Sequence, residues 1–192
     1  MAPALLRADV LYHGFGDRNL VTTGNSSTQV NLSNKYSMVS GTLNGLTLNR
    51  GTLNVTGTLS SDNAVGNLGS GQVNVLAGAN WTGVTAIVNN STNATGFSVA
   101  GTLQVGNFVL NNTGATFEVT SGGTLTALTV LNVGTFTNDG TVNANVGNIG
   151  LLTNNGTWNG NLLEAAGTTT INNGTFNGNF TIIGGGSVTN NG

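Results

Sequence analysis

The chain has 192 residues, only 5% of them charged, with 31 glycines, one proline, no cysteine and a formal net charge of −2. Four basic side chains (Arg7, Arg18, Lys35, Arg50) leave no footprint for a phosphate backbone, so nucleic acid is excluded as a partner. With one histidine and no cysteine a transition-metal site is excluded too, and no cofactor is expected.

Residues 1–24 differ in composition from the rest of the chain. They hold Arg7, Asp9, His13, Asp17 and Arg18, a dense share of the few titratable groups, and read as an N-terminal cap or linker. Met1-Ala2-Pro3-Ala4-Leu5-Leu6-Arg7 has neither the basic start nor the apolar run of a secretory signal. No apolar stretch approaches the ~20 residues of a membrane helix, so no membrane insertion is expected of this segment. His13-Gly14-Phe15-Gly16 has no nucleophile elbow to accompany it, and the glycines there lack the third member of a dinucleotide fingerprint.

From Asn25 onward the pattern is one of short strands, Thr28–Leu32, Gly41–Leu43, Leu46–Leu48 and Gly51–Val55, and a Gly-Thr-apolar element returns at Gly57, Gly101, Gly123, Gly134, Gly140, Gly156 and Gly174. Spacing is irregular between 60 and 122, which predicts loops or longer coils, with Asn89–Thr95 as the protruding corner.

The last third is regular. Cut after each Asn-Asp or Asn-Asn corner, it falls into units 123–139, 140–155, 156–173 and 174–191, of 16 to 18 residues. Leu125, Val142, Trp158 and Phe176 stand third in each unit; Ala127, Ala144, Gly160 and Gly178 stand fifth. Both columns lie on one side of a period-2 strand, so large and small side chains alternate on a single face. Thr124, Thr141, Thr157 and Thr175 point the other way, as do Thr126, Asn143, Asn159 and Asn177. Further apolar columns are Val146, Leu162, Phe180 and Phe136, Leu152, Val188. Thr170 breaks the latter, and Ile171 beside it predicts a one-residue slip.

A unit this short has no second layer on which to bury its apolar face, and stacking coil on coil supplies one. The fold expected is an all-β parallel β-helix (β-solenoid) over 25–192, with about three short strands per coil, about nine coils, and glycine or asparagine corners where a positive φ is cheap. Asn138, Asn154, Asn172 and Asn190 then form an asparagine ladder, and Leu125, Val142, Trp158 and Phe176 a core column. The pattern runs to Gly192 without a polar cap, which is expected of a piece of a longer protein.

The acids are scattered. Asp62, Glu118, Asp139 and Glu164 fall at most one to a coil, with Asp139 read as a corner residue and Glu164 as a solvated strand residue. A polysaccharide-cutting β-helix needs clustered carboxylates, so the chain is expected not to be an enzyme. Trp81, Trp158, Phe117, Phe136, Phe176 and Phe180 read as core. The outward threonine column leaves ice binding as an alternative function, and the same aromatics, were they to line a face, carbohydrate binding.

The Asn-Asn-Gly-Thr corners, with runs such as Gly101-Thr102-Leu103-Gln104-Val105 and Phe136-Thr137-Asn138-Asp139-Gly140-Thr141-Val142, resemble the passenger region of a bacterial autotransporter over residues 40–192. Filamentous haemagglutinin-like adhesins share much of this language. The resemblance implies a right-handed β-helical stalk exported to the cell surface. It also implies adhesion to host-cell, matrix or neighbouring bacterial surface components, with self-association as one mode. No catalytic, cofactor or metal residue is carried over by it.

Overall fold

The structure is a computed structural model that describes residues 11–13, 18–20, 25–26, 29–31, 35–43 and 45–192. Its described residues form 23 strands joined in one sheet, every pairing parallel, wound as a right-handed β-solenoid of about eight turns. Each strand pairs with its equivalent one coil later, so coils lie on one another at the ~4.8 Å spacing of hydrogen-bonded strands. The pairing also includes Leu11–His13 with Gln29–Asn31 and Arg18–Leu20 with Tyr36–Met38, inside the stretch expected as a cap or linker, most of which lies outside the described residues.

Each coil has three faces. The threonine face carries the column Thr58, Asn80, Thr102, Thr124, Thr141, Thr157, Thr175. A second, aliphatic face aligns Leu48, Gly66, Val88, Leu110, Leu131, Gly147 and Leu163. The third face aligns Leu53, Val73, Phe97, Phe117, Phe136, Leu152, Thr170 and Val188.

Coil length is not constant. Equivalent asparagines are 18 residues apart from Asn49 to Asn67, 22 from Asn67 to Asn89 and again to Asn111, 21 to Asn132 and 16 to Asn148. The columns survive because the surplus residues sit at corners. Register shifts fall between Trp81 and Ala86, between Gln104 and Phe108, and between Thr126 and Thr129, all where the threonine face turns into the aliphatic one. The longer coils foreseen for 60–122 are therefore real, but the protruding corner is smaller than expected. Asn89 and Ser91 are buried, and only the corner at Thr92–Thr95 lies outside the strands.

The interior is a stack. Phe97 lies on Phe117 with ring centroids 4.7 Å apart, Phe117 on Phe136 at 5.0 Å, and Trp158 on Phe176 at 6.1 Å. These offset stacks follow from the fold, since one aromatic per coil at one register position brings like rings to the strand spacing. Both buried indoles find acceptors, Trp81 Nε1 donating to Ser61 Oγ and Trp158 Nε1 to the Ala144 carbonyl.

The corner glycines work differently from the expectation. Among the described residues positive φ occurs at glycine alone, as at Gly114 and Gly122, and not at Gly140, Gly156 or Gly174. Those three stack on one another. A Cβ on Gly156 would lie 2.1 Å from the Gly140 carbonyl oxygen, and one on Gly174 would lie 2.2 Å from that of Gly156. Close approach of backbone to backbone excludes a side chain there, whatever the dihedral angles.

Candidate interaction surface and buried polar cluster

Two asparagine ladders run inside the solenoid at different corners. On the third face Asn138 Nδ2 donates to Asn154 Oδ1 at 2.7 Å, Asn154 to Asn172 at 2.6 Å and Asn172 to Asn190 at 2.5 Å. Each of the first two also donates to a backbone carbonyl of the next coil, Thr157 and Thr175 in turn. The ladder begins at Asn138. Upstream the same column holds Val75, Val99 and Val119, and the four residues Thr120–Gly123 turn the chain. At Asn138 the turn is Asp139-Gly140 alone, and the asparagine Oδ1 accepts the Gly140 N–H, which replaces a hydrogen bond of the longer turn. Leu125, Val142 and Trp158 are fully buried in register, and Phe176 is half-buried in the same column.

The longer ladder lies on the aliphatic face and was not foreseen from the sequence. Asn49, Asn67, Asn89, Asn111, Asn132 and Asn148 are all fully buried, each Nδ2 donating to the next Oδ1 at 2.8–3.0 Å. Its signal was the recurrence of apolar-apolar-Asn in Val109-Leu110-Asn111 and Val130-Leu131-Asn132, hidden by the variable coil length.

Glu164 occupies the next rung. The sequence placed it on a solvated strand; it is instead fully buried, because Asn148 and Glu164 share a register position that points inward. Asn148 Nδ2 lies 3.2 Å from both carboxylate oxygens. Thr168 Oγ1 donates to Oε1 at 2.6 Å and Thr170 Oγ1 to Oε2 at 2.5 Å. The one-residue slip expected at Thr170 does not occur either. Thr170 keeps its place between Leu152 and Val188, buried, with its hydroxyl turned to Glu164, and Ile171 faces outward. Ile182 follows Glu164 in the column and offers no acceptor. A carboxylate, which accepts without donating, ends the ladder with no amide N–H stranded.

The remaining described acids stand alone. Asp62 accepts the Gly45 N–H, Asp139 accepts Asn155 Nδ2 at its corner, and Glu118 is half-buried on the third face. No group of three or more His, Cys, Asp or Glu side chains comes together among the described residues, and they line no pocket. Trp81, Trp158, Phe117 and Phe136 are fully buried, as core residues.

What the solenoid offers a partner is its outer columns. On the threonine face the column from Thr102 through Thr124, Thr141 and Thr157 to Thr175 is in register over five coils. Beside it, Asn177 Nδ2 donates to Asn159 Oδ1, Asn159 to Asn143, and Asn143 to Thr126 Oγ1, so this second row is already committed to its own ladder. The aliphatic face is unlike it. Leu131 and Leu163 are 37% and 46% exposed, flanked by Phe108, Leu128, Ile149 and Leu151, each more than 40% exposed. The signal for this strip was also present, in doublets such as Val109-Leu110, Val130-Leu131 and Leu162-Leu163. Both residues of each are apolar where a one-sided strand alternates apolar with polar.

Compared with protein-family models, with curated proteins and with solved structures, the chain matches none of them.

Proposed function

We propose that the chain is a non-catalytic rod segment acting by surface contact, a structural and adhesive part of an exported bacterial surface protein of the autotransporter kind. The observation that carries the reading is the aligned strip of outward Leu110, Leu131 and Leu163 with Phe108, Leu128 and Ile149 around it. Gly147 interrupts the column between Leu131 and Leu163, and exposed apolar side chains gathered on one face in this way mark interaction sites in soluble proteins. The repeat language shared with autotransporter passengers supports export to the cell surface, and the rigid stack of ladders suits a stalk. Its partners are then host-cell, matrix or neighbouring bacterial surface components, or a second copy of the chain.

The test is retention of beads coated with the chain on immobilised matrix protein and on a layer of the same chain. The wild-type protein holds beads on at least one of these layers, with retention undiminished near 1 M salt, since apolar contact is not screened. The double variant Leu131→Lys, Leu163→Lys loses most of it. Equal retention of wild-type and variant beads removes the aliphatic face from the account, and no retention above uncoated beads on either layer removes the adhesive reading.

The register of the threonine column favours ice binding as a second reading. Thermal hysteresis that disappears in Thr157→Lys would support it over adhesion, and its absence at high protein concentration sets it aside.

A further inference from the structure

Two residues break the column pattern of the repeat, Glu164 in an asparagine column and Thr170 in an apolar one, and the fold brings them to one buried spot against Asn148. The side chains there have the parts of an acyl-transfer site. Thr170 Oγ1 is the hydroxyl nucleophile, and its proton is directed at Glu164 Oε2, 2.5 Å away. Asn148 supplies the acyl group; its Nδ2 donates to Thr170 Oγ1 at 3.1 Å, so that attack on Cγ requires the hydroxyl to swing from the amide nitrogen to the face of the carbonyl carbon. The Asn148 carbonyl oxygen accepts from Asn132 Nδ2 at 2.8 Å and from the Gly150 N–H at 3.2 Å, two fixed donors placed where negative charge develops during attack. Glu164 touches nucleophile and leaving nitrogen together, and Thr168 Oγ1 holds its other oxygen. Asn148, Glu164 and Thr170 are all fully buried, so water does not compete for the acyl group.

We propose that Asn148 and Thr170 join in an autocatalytic side-chain ester that locks one coil to the next. Thr170 Oγ1 attacks Asn148 Cγ while Glu164 takes the hydroxyl proton. The tetrahedral carbon then expels its nitrogen, Glu164 passes the proton to that nitrogen, and ammonia leaves. One C–O bond forms, one C–N bond breaks, Glu164 ends as it began, and no oxidant or reductant takes part. The rest of the asparagine ladder stays unreacted because no other rung in it meets both a carboxylate and a threonine hydroxyl among the described contacts. The bond resists pulling along the chain between residues 148 and 170, which goes beyond the adhesive reading and does not depend on it.

Intact mass in denaturant tests the proposal directly. The wild-type chain is expected to be lighter than its sequence mass by one ammonia, and chymotryptic digestion, which cuts after Trp158, is expected to give the peptides bearing Asn148 and Thr170 as one species. Thr170→Ser keeps the nucleophile and keeps the loss. Thr170→Val and Glu164→Gln give the full sequence mass. Circular dichroism of these two, compared with the wild type, separates failure to react from failure to fold. A wild-type protein of full sequence mass with separate peptides overturns the proposal, whatever the variants do, and so does ammonia loss that persists in folded Thr170→Val.

Discussion

At the scale of single residues, the buried asparagines are where most of the polar stability of the interior is held. Asn111, fully buried, accepts from Asn89 and donates to Asn132 Oδ1 and to the Ala115 and Thr135 carbonyls. Asn111→Ala leaves donor and acceptor unpaired in the core and is expected to cost about 2–3 kcal/mol, read from the urea midpoint. Asn177→Ala removes a rung of the exposed outer row and is expected to stay within about 0.5 kcal/mol of wild type. Similar losses in both would mean that burial is not what gives the inner ladder its weight. The residue scale is also where the sequence was hardest to read. Glu164 and Thr170 each look like an error in its column when taken singly, one suggesting a solvated strand and the other a slipped register. They make sense only as a pair, and the distance in sequence between them spans a corner whose geometry no periodicity records.

At the scale of the element, the length of the corner decides which kind of glycine it needs. Short corners, Ala100-Gly101, Asp139-Gly140 and Asn155-Gly156, share a glycine pressed against a carbonyl of an earlier coil, whether the inward residue before them is valine or asparagine. The long corner at Thr113–Gly114 instead puts its glycine at φ 77° with open space around it. The two kinds of glycine predict different penalties. Gly156→Ala forces a Cβ into the Gly140 carbonyl and is expected to destabilise by about 1–3 kcal/mol or more, with the stacked coils shifting to relieve it. Gly114→Ala meets nothing and carries only the left-handed penalty, about 1 kcal/mol. Urea midpoints ranked the other way would contradict the close-approach account. The sequence marked these corners correctly through Asn-Gly and Asp-Gly, because turn chemistry is local. It misassigned the reason for the glycines, because the carbonyl that excludes a side chain belongs to another coil.

At the scale of the whole molecule, the fold was legible because each coil repeats the same burial problem. Leu125, Val142, Trp158 and Phe176 show the period wherever the corners are short, and the parallel stack follows from it. The outer surface was less legible. The aliphatic strip lies between two corners of variable length, so Leu110, Leu131 and Leu163 align in space but not in any fixed sequence period. Function at this scale depends on that alignment: a ladder, a strip or a threonine row exists only if coils of 16 to 22 residues keep their columns straight. Spin labels at Thr58 and Thr175, both exposed and six rungs apart on the threonine face, measure it most directly. Stacking at the parallel-strand spacing predicts one narrow distance distribution centred near about 29 Å, and a broad distribution, or one centred well away from that value, would contradict the account.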